Sequence, residues 1–176
     1  MTLKLSQNIK KDKALAEKMA AGDLNCIDCF KLAVSVRLSE LFPSAPVYLV
    51  PQQQTKPIQQ LPPAVFVQTT NIHREKRLGG EHEYQIGVNI AYMSKDINAQ
   101  TEQEAAAMRL MDMAESIPPL PGMEYPYTMY AADANTVDGI VNITGITSVW
   151  ERWPDNTPLI EEAGVKVNTK EKEDEE

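Results

Sequence analysis

The sequence predicts an α+β fold: an antiparallel sheet built on a long central β-hairpin, with two helices packed on one face. Three observations predict it. Residues 61–93 read as two strand-like arms around a Gly-Gly turn. Two stretches with helical spacing of apolar residues flank that hairpin, at 26–42 and 101–117. A second turn signal, Asp138-Gly139, leads into a last strand at 140–153. A hairpin that buries one face needs helices to cover it, and the chain supplies two.

The outgoing arm of the hairpin, residues 64–72, is rich in β-branched and aromatic side chains. On the return arm Tyr84, Ile86, Val88, Ile90 and Tyr92 point one way, while Glu83, Gln85, Asn89 and Met93 point the other. Parity fixes the expected register. A two-residue loop at Gly79-Gly80 sets the apolar positions of the two arms on opposite faces. A three-residue loop, Gly79 to Glu81, places Leu78 opposite His82, Ile72 opposite Val88, Arg74 opposite Ile86 and Arg77 opposite Glu83. The apolar sets then agree and a charged pair faces solvent.

Residues 1–25 are charged and form an N-terminal arm, with a short helix at 12–21 stopped by Gly22. Their composition predicts an appendage, mobile in the isolated protein from residue 1 to about 22. In the helix over 26–42, Ile27, Phe30, Val34, Leu38 and Leu41 share one face. Asp23 or Asn25 is its N-cap and Pro43 ends it. A short strand at 47–50 follows. Residues 51–63 are Gln- and Pro-rich, which predicts an exposed link. In the second helix, 101–117, Thr101 and Glu104 match a capping box. Ala107, Leu110, Met111, Ala114 and Ile117 make its apolar stripe, and Pro118-Pro119 stops it. An extended segment at 125–132, broken by Pro126, reads as an edge strand or a bulge. The last strand is expected to bulge near Gly145. One domain therefore spans 26–154, followed at 155–176 by an acidic tail whose composition predicts disorder.

Composition narrows the function classes. The formal net charge is −8 over 176 residues. That balance opposes tight binding of a phosphate backbone, which needs clustered Lys and Arg. No run approaches the roughly 20 apolar residues of a membrane span. Residues 1–21 lack the apolar core of a secretory signal. With two cysteines, the expectation is a reduced, cytosolic chain.

Motifs for catalysis are sparse. Cys26-Ile27-Asp28-Cys29 is a C-x-x-C at a helix start, where the helix dipole lowers a thiol pKa. It lacks the preceding strand of a redox fold, so the blander alternative is a core-facing Cys29 with Cys26 incidental at the cap. Zinc would need about four ligands, and only His73 and His82 remain. His82 and Glu83 point to opposite faces of their strand, so they make no acid–base pair. The two glycines sit in a hairpin turn rather than before a helix, so they cradle no phosphate. We expect no catalytic residue, no metal and no cofactor. What stands out is a basic tip, Arg74, Lys76 and Arg77, which reads either as a solvated hairpin end or as a contact for an acidic partner. Trp150 and Trp153 read equally as core or as interface.

With these elements placed, the chain resembles the tail terminator proteins of tailed bacteriophages. The matching pieces are Leu41-Phe42-Pro43 with Val47-Tyr48, the Gln-rich link, and Pro63-Ala64-Val65-Phe66-Val67. The hairpin arm ending Ile90-Ala91-Tyr92, the helix from Thr101, and Asp138-Gly139 before a final strand complete the pattern. The resemblance implies two helices against an antiparallel sheet, and a hexameric ring. Such a ring caps the tail tube, stops its polymerisation and joins the tail to the head connector, with DNA passing through the lumen without specific binding. It implies a virion protein assembled in the host cytoplasm, with the tail tube protein and neck proteins as partners. The tip cations and the two tryptophans are the expected contacts. A different neck protein, such as a head-completion subunit, and a small redox protein using Cys26 and Cys29 remain the alternatives.

Overall fold

A single six-stranded sheet organises the computed structural model, which describes residues 5–49, 63–78, 81–96 and 98–152. The elements run β1 (Ile9–Lys10), α1 (Lys13–Ala21), α2 (Cys26–Leu41), β2 (Val47–Tyr48), β3 (Ala64–Lys76), β4 (Glu81–Met93), α3 (Gln100–Glu115), β5 (Met129–Val137) and β6 (Ile140–Arg152). Across the sheet the order is β1-β2-β3-β4-β6-β5. The α+β class holds, with two corrections. The sheet is mixed, because β1 pairs with β2 and β2 with β3 in parallel. The described helices number three rather than two. A parallel neighbour requires a crossover, and α1 and α2 supply the one between β1 and β2. The Gly79-Gly80 turn, most of the Gln- and Pro-rich link, Trp153 and the acidic tail lie outside the described residues.

The N-terminal arm is tied into the core more closely than its composition predicts. Ile9 and Leu15 are buried in the main apolar cluster, and Met19 packs against it. Asp12 caps α1 by accepting the Leu15 N–H at 2.7 Å, and Gly22 ends the helix in the left-handed region at φ 74°. Then α2 starts at once. Asn25 Oδ1 accepts the Asp28 N–H at 2.8 Å, and Asp28 Oδ2 accepts the Asn25 N–H at 3.4 Å, closing a capping box. Lys18 Nζ reaches the same Asp28 carboxylate at 2.8 Å and links the two helices.

Phe30, Val34 and Leu38 of α2 are fully buried, as the helical spacing requires, with Ile27 and Leu41 at the margin. The capping box predicted for α3 does not form. The helix begins at Gln100, one residue early, so Thr101 lies inside the first turn and Ala99 at the cap has no side chain to offer. The buried stripe of α3 runs through Gln103, Ala106, Leu110, Met113 and Ala114, with Ala107 and Met111 packed at its margin. Among the described residues no helix is long and apolar enough to cross a membrane.

Ile86, Val88, Ile90 and Tyr92 of β4 face the helices together with Val65 and Val67 of β3 and Val141, Ile143 and Val149 of β6. The reverse face is apolar too at the base of the sheet. Ala64, Phe66, Ala91 and Met93 are buried there, and Tyr48 stacks on Phe66 at 5.1 Å between ring centroids. The hairpin thus buries both faces at its base, where one was expected.

The register differs from the sequence reading. The ladder closes at Arg77 and Glu81 rather than at Leu78 and His82. Arg77 donates its N–H to the Glu81 carbonyl at 2.8 Å, Lys76 lies opposite His82, Arg74 opposite Tyr84 and Ile72 opposite Ile86. Below that the ladder slips by one residue, so that Thr69 faces Val88 and Val67 faces Ile90. Thr70 and Asn71 together oppose Gly87, a β-bulge. A Cβ at Gly87 would run into the Asn71 and Thr70 side chains, which is why glycine stands opposite the bulge. The bulge expected at Gly145 sits instead in its partner strand. Ala131 and Ala132 of β5 together oppose Gly145, whereas β6 runs evenly along β4. Ala131 takes φ 49° there, a strained angle for a residue with a Cβ. Gly87 pairs with Ile146, the neighbour of Gly145, so both bulges lie at one level of the sheet. They form a crease across the sheet, and Ile86, Thr147 and Val149 just beyond it are still buried.

Candidate functional site

Beyond the crease β3, β4 and β6 continue as the hairpin arm, with Met129 of β5 still paired to Thr147. Ile72, Arg74 and Lys76 point to the helix-facing side, level with Ile86, Tyr84 and His82. His73, Glu75 and Arg77 point to the reverse side. The basic tip is therefore split by the strand period, because successive side chains alternate faces. Arg74 Nη2 donates to His82 Nε2 at 3.1 Å on the helix-facing side. Lys76 is exposed, with no ion pair among the described residues.

On the reverse side Arg77 is neutralised within its own subunit. Its Nε donates to Glu83 Oε2 at 2.9 Å, its Nη2 reaches Glu75 at 2.7 Å and also bonds Glu83. Ser148 Oγ donates to the other Glu83 oxygen at 2.8 Å. The guanidinium lies over the Trp150 ring at 6.0 Å from its centroid, the outer limit of a cation–π contact. So the structure unites Arg77 with Trp150, as a clamp tying the hairpin to β6, and parts both from Arg74 and Lys76. The expected solvent-facing Arg77–Glu83 pair exists, but diagonally rather than directly across, and Glu83 is buried.

The hydrogen bonds from Arg77, then that from Ser148, hold the Glu83 carboxyl below its ordinary range. A depressed carboxyl stabilises fully above its unfolded pKa, and that contribution fades as pH falls through the folded value. Wild type should therefore lose stability below the ordinary Glu value of 4.5. Glu83→Gln should show a shallower loss over the same window. Thermal melts of both proteins across the acid range check this, and parallel acid limbs would refute it.

Sequence reasoning missed an exposed aromatic region beside Trp150. β5 pairs with β6 only from Ile140 to Thr147, so residues 148–152 leave an edge open toward the loop before β5. A cleft of about 330 Å³ lies along that edge, lined by Cys26, Met123, Tyr125, Tyr127, Val149 and Trp150. Trp150 is 54% exposed. Tyr130 and Ile146, direct partners on β5 and β6, are exposed on the reverse face nearby. One signal was available: Ile146 and Trp150 occupy outward positions of a strand whose other outward residues between Ile140 and Arg152 are Asn142, Thr144 and Ser148.

The cysteines read differently from a redox pair. Burial, then the Glu151 charge, pushes the Cys26 thiol up to about 11, and burial raises Cys29 as well. A thiol held protonated at neutral pH is a poor nucleophile, so the helix dipole does not win here. Among the described residues no group of three or more His, Cys, Asp or Glu side chains is placed to hold a metal ion.

No curated protein matches the chain. The family described as "Phage tail terminator protein" matches residues 30–152, from the first buried aromatic of α2 to the last residue of β6. That match covers more than half of the 176-residue sequence, and the chain belongs to the phage tail terminator family.

Proposed function

We propose that the chain is a non-enzymatic neck subunit that forms a closed ring of six, caps the tail tube, ends its polymerisation and joins the tail to the head connector. The family assignment supports a structural role in the phage tail. The observation that carries the assembly reading is the hairpin arm: strands with open edges, tipped by Leu78, which is 94% exposed. Exposed strand edges and a bare leucine are liabilities in a lone subunit, and burial between neighbours removes them. A head-to-tail contact on one kind of chain generates a ring when the rotation closes. The net charge of −8 suits a lumen that DNA passes without sticking. Residues 26–154 act as the terminator domain in this reading, with Arg74, Lys76, Arg77 and Trp150 in or beside the contacts with neighbours or tube.

Arg77 is an unsuitable probe, since reversing it would break the clamp on Glu83. Lys76→Glu reverses an exposed charge alone. Sedimentation of wild type and Lys76→Glu, each alone and mixed with tail tubes, tests the proposal. Wild type should sediment as a ring far larger than 19.6 kDa and should bind tube ends. The variant should assemble less, most visibly at low salt. A wild type that stays monomeric at high concentration and binds no tube end overturns the reading.

A further inference from the structure

We infer that the chain's own continuation beyond β6 turns back and lays Pro158-Leu159-Ile160 along the open edge of β6, in the cleft beside Trp150. This concerns the single subunit and stands apart from the ring reading.

The site is a short slot at the end of a strand. Among the described residues β5 takes the β6 edge only as far as Thr147. Just before β5, Tyr127 exchanges both its backbone hydrogen bonds with Ile117, so the incoming chain leaves the edge there. Val137 and Ile140 flank the two-residue turn at Asp138-Gly139, so Ile140 directs its N–H and C=O toward β5. Every second residue does the same along β6, which runs evenly along β4. Trp150 and Arg152 therefore direct backbone groups toward the open side, and an added strand supplies the partners they need. The cleft of about 330 Å³ separates this edge from a wall at Met123, Glu124 and Tyr125. Exposed rings, Trp150 and Tyr125, stand on its two lips.

The occupant follows from where β6 ends and what comes after it. The chain passes Arg152 at the mouth of the cleft, and residues 153–176 continue from there. The first of them carry turn chemistry. Pro154 presets one backbone angle, and Asp155 and Asn156 favour a reversal through bonds to their own backbone. Next comes Pro158-Leu159-Ile160, which holds the only adjacent pair of large aliphatic residues after Trp153. Proline is tolerated on an edge strand because its missing N–H can face outward. Leu159 and Ile160 alternate faces on a returning strand. One then covers the exposed indole of Trp150 on the reverse face, while the other enters the cleft beside Val149 and Tyr127. Glu161 and Glu162 follow, and the like charge of Glu124 on the wall ends the docked stretch there. A tethered segment meets the edge at an effective concentration on the order of millimolar, which favours it over any separate chain of similar sequence. The β3 edge at 67–76 is then what the arm leaves open to a neighbour.

Four chains test the docking, each at a concentration where it sediments as a single subunit: full length, stopped after Glu162, stopped after Thr157, and full length with Leu159→Ser and Ile160→Ser. Hydrogen exchange reads the Trp150 and Arg152 amides. Both should exchange about tenfold or more slowly in the first two chains than in the last two. Fluorescence gives a second readout. With Trp153→Phe throughout, Trp150 is the one tryptophan left. Its emission should shift to the red, and acrylamide should quench it more, in the last two chains. Circular dichroism should be alike in all four, because Phe30 and the rest of the main core lie on the other side of the sheet from the indole. Equal exchange and equal quenching in all four chains overturn the inference. Protection of the full-length chain that fades on dilution assigns the segment to a second copy and refutes docking within one subunit. None of these results depends on a ring forming, so the ring reading stands or falls on its own sedimentation test.

Discussion

Phe30→Ala is expected to destabilise the subunit by about 3–5 kcal/mol, the range for deleting a fully buried phenyl ring. Phe30 has no exposed surface and meets Tyr127 edge-on, with centroids 5.3 Å apart and planes at 72°. Tyr127 is in turn fixed to Ile117 by two backbone hydrogen bonds of 2.8 and 2.9 Å. The ring therefore connects α2 to the segment that leaves α3 and walls the cleft. Its loss opens a cavity among residues that cannot collapse inward, because the two hydrogen bonds hold the far wall. Urea unfolding of wild type and variant at equal chain concentration measures the effect, since assembly itself raises apparent stability. Phe30→Leu should lose much less. A change below about 1 kcal/mol for Phe30→Ala would contradict the burial it rests on.

Thr147→Val should act in the opposite direction. Thr147 is fully buried on the helix-facing side of β6, between its strand partners Ile86 and Met129, and its hydroxyl has no hydrogen-bond partner. Such a hydroxyl has lost its water and gained nothing, at a cost of about 1–3 kcal/mol. Valine keeps the branched shape and the strand preference while removing the polar atom. The variant should be more stable by about 1–2 kcal/mol, raising Tm by several degrees. Calorimetry at matched concentration reads this directly. A lower Tm would mean that the hydroxyl is bonded after all.

Local signals in the sequence were readable where one short stretch decides the outcome. Asn25 and Asp28 cap α2 and Pro43 stops it, all within a few residues of the helix ends. Asp138 and Gly139 take φ 50° and 77°, the paired positive angles of a tight hairpin turn that this dipeptide favours. The parallel strands β1 and β2 were illegible for a physical reason. Two residues carry no period, and their pairing depends on chain far away in sequence. The hairpin register failed for another. An unbroken ladder was assumed, which puts Gln68 and Thr70 inside, whereas Val65 and Val67 are the inward residues at the base and Ile72 in the arm. Only an extra residue between them reconciles the two, and Gly87 was its one mark. The candidate contacts fared similarly. Arg74, Lys76 and Arg77 are close in sequence, but the pleat sends Arg77 to the other face, where Trp150 waits on a strand more than sixty residues on.

The crease has a consequence for how such proteins change length. Above it, β3 and β4 form an uninterrupted ladder up to Arg77 and Glu81. Inserting or deleting two residues on each arm preserves the facing of every side chain, whereas one residue on each reverses them. The arm's reach is thus adjustable in steps of about 7 Å, two residues of strand at a time. Such steps leave Phe30, Leu110 and Ile143 where they are. Proteins of this build can diverge in arm length by multiples of four residues while their cores stay superimposable, and a designer grafting a peptide onto the tip inherits the same ruler.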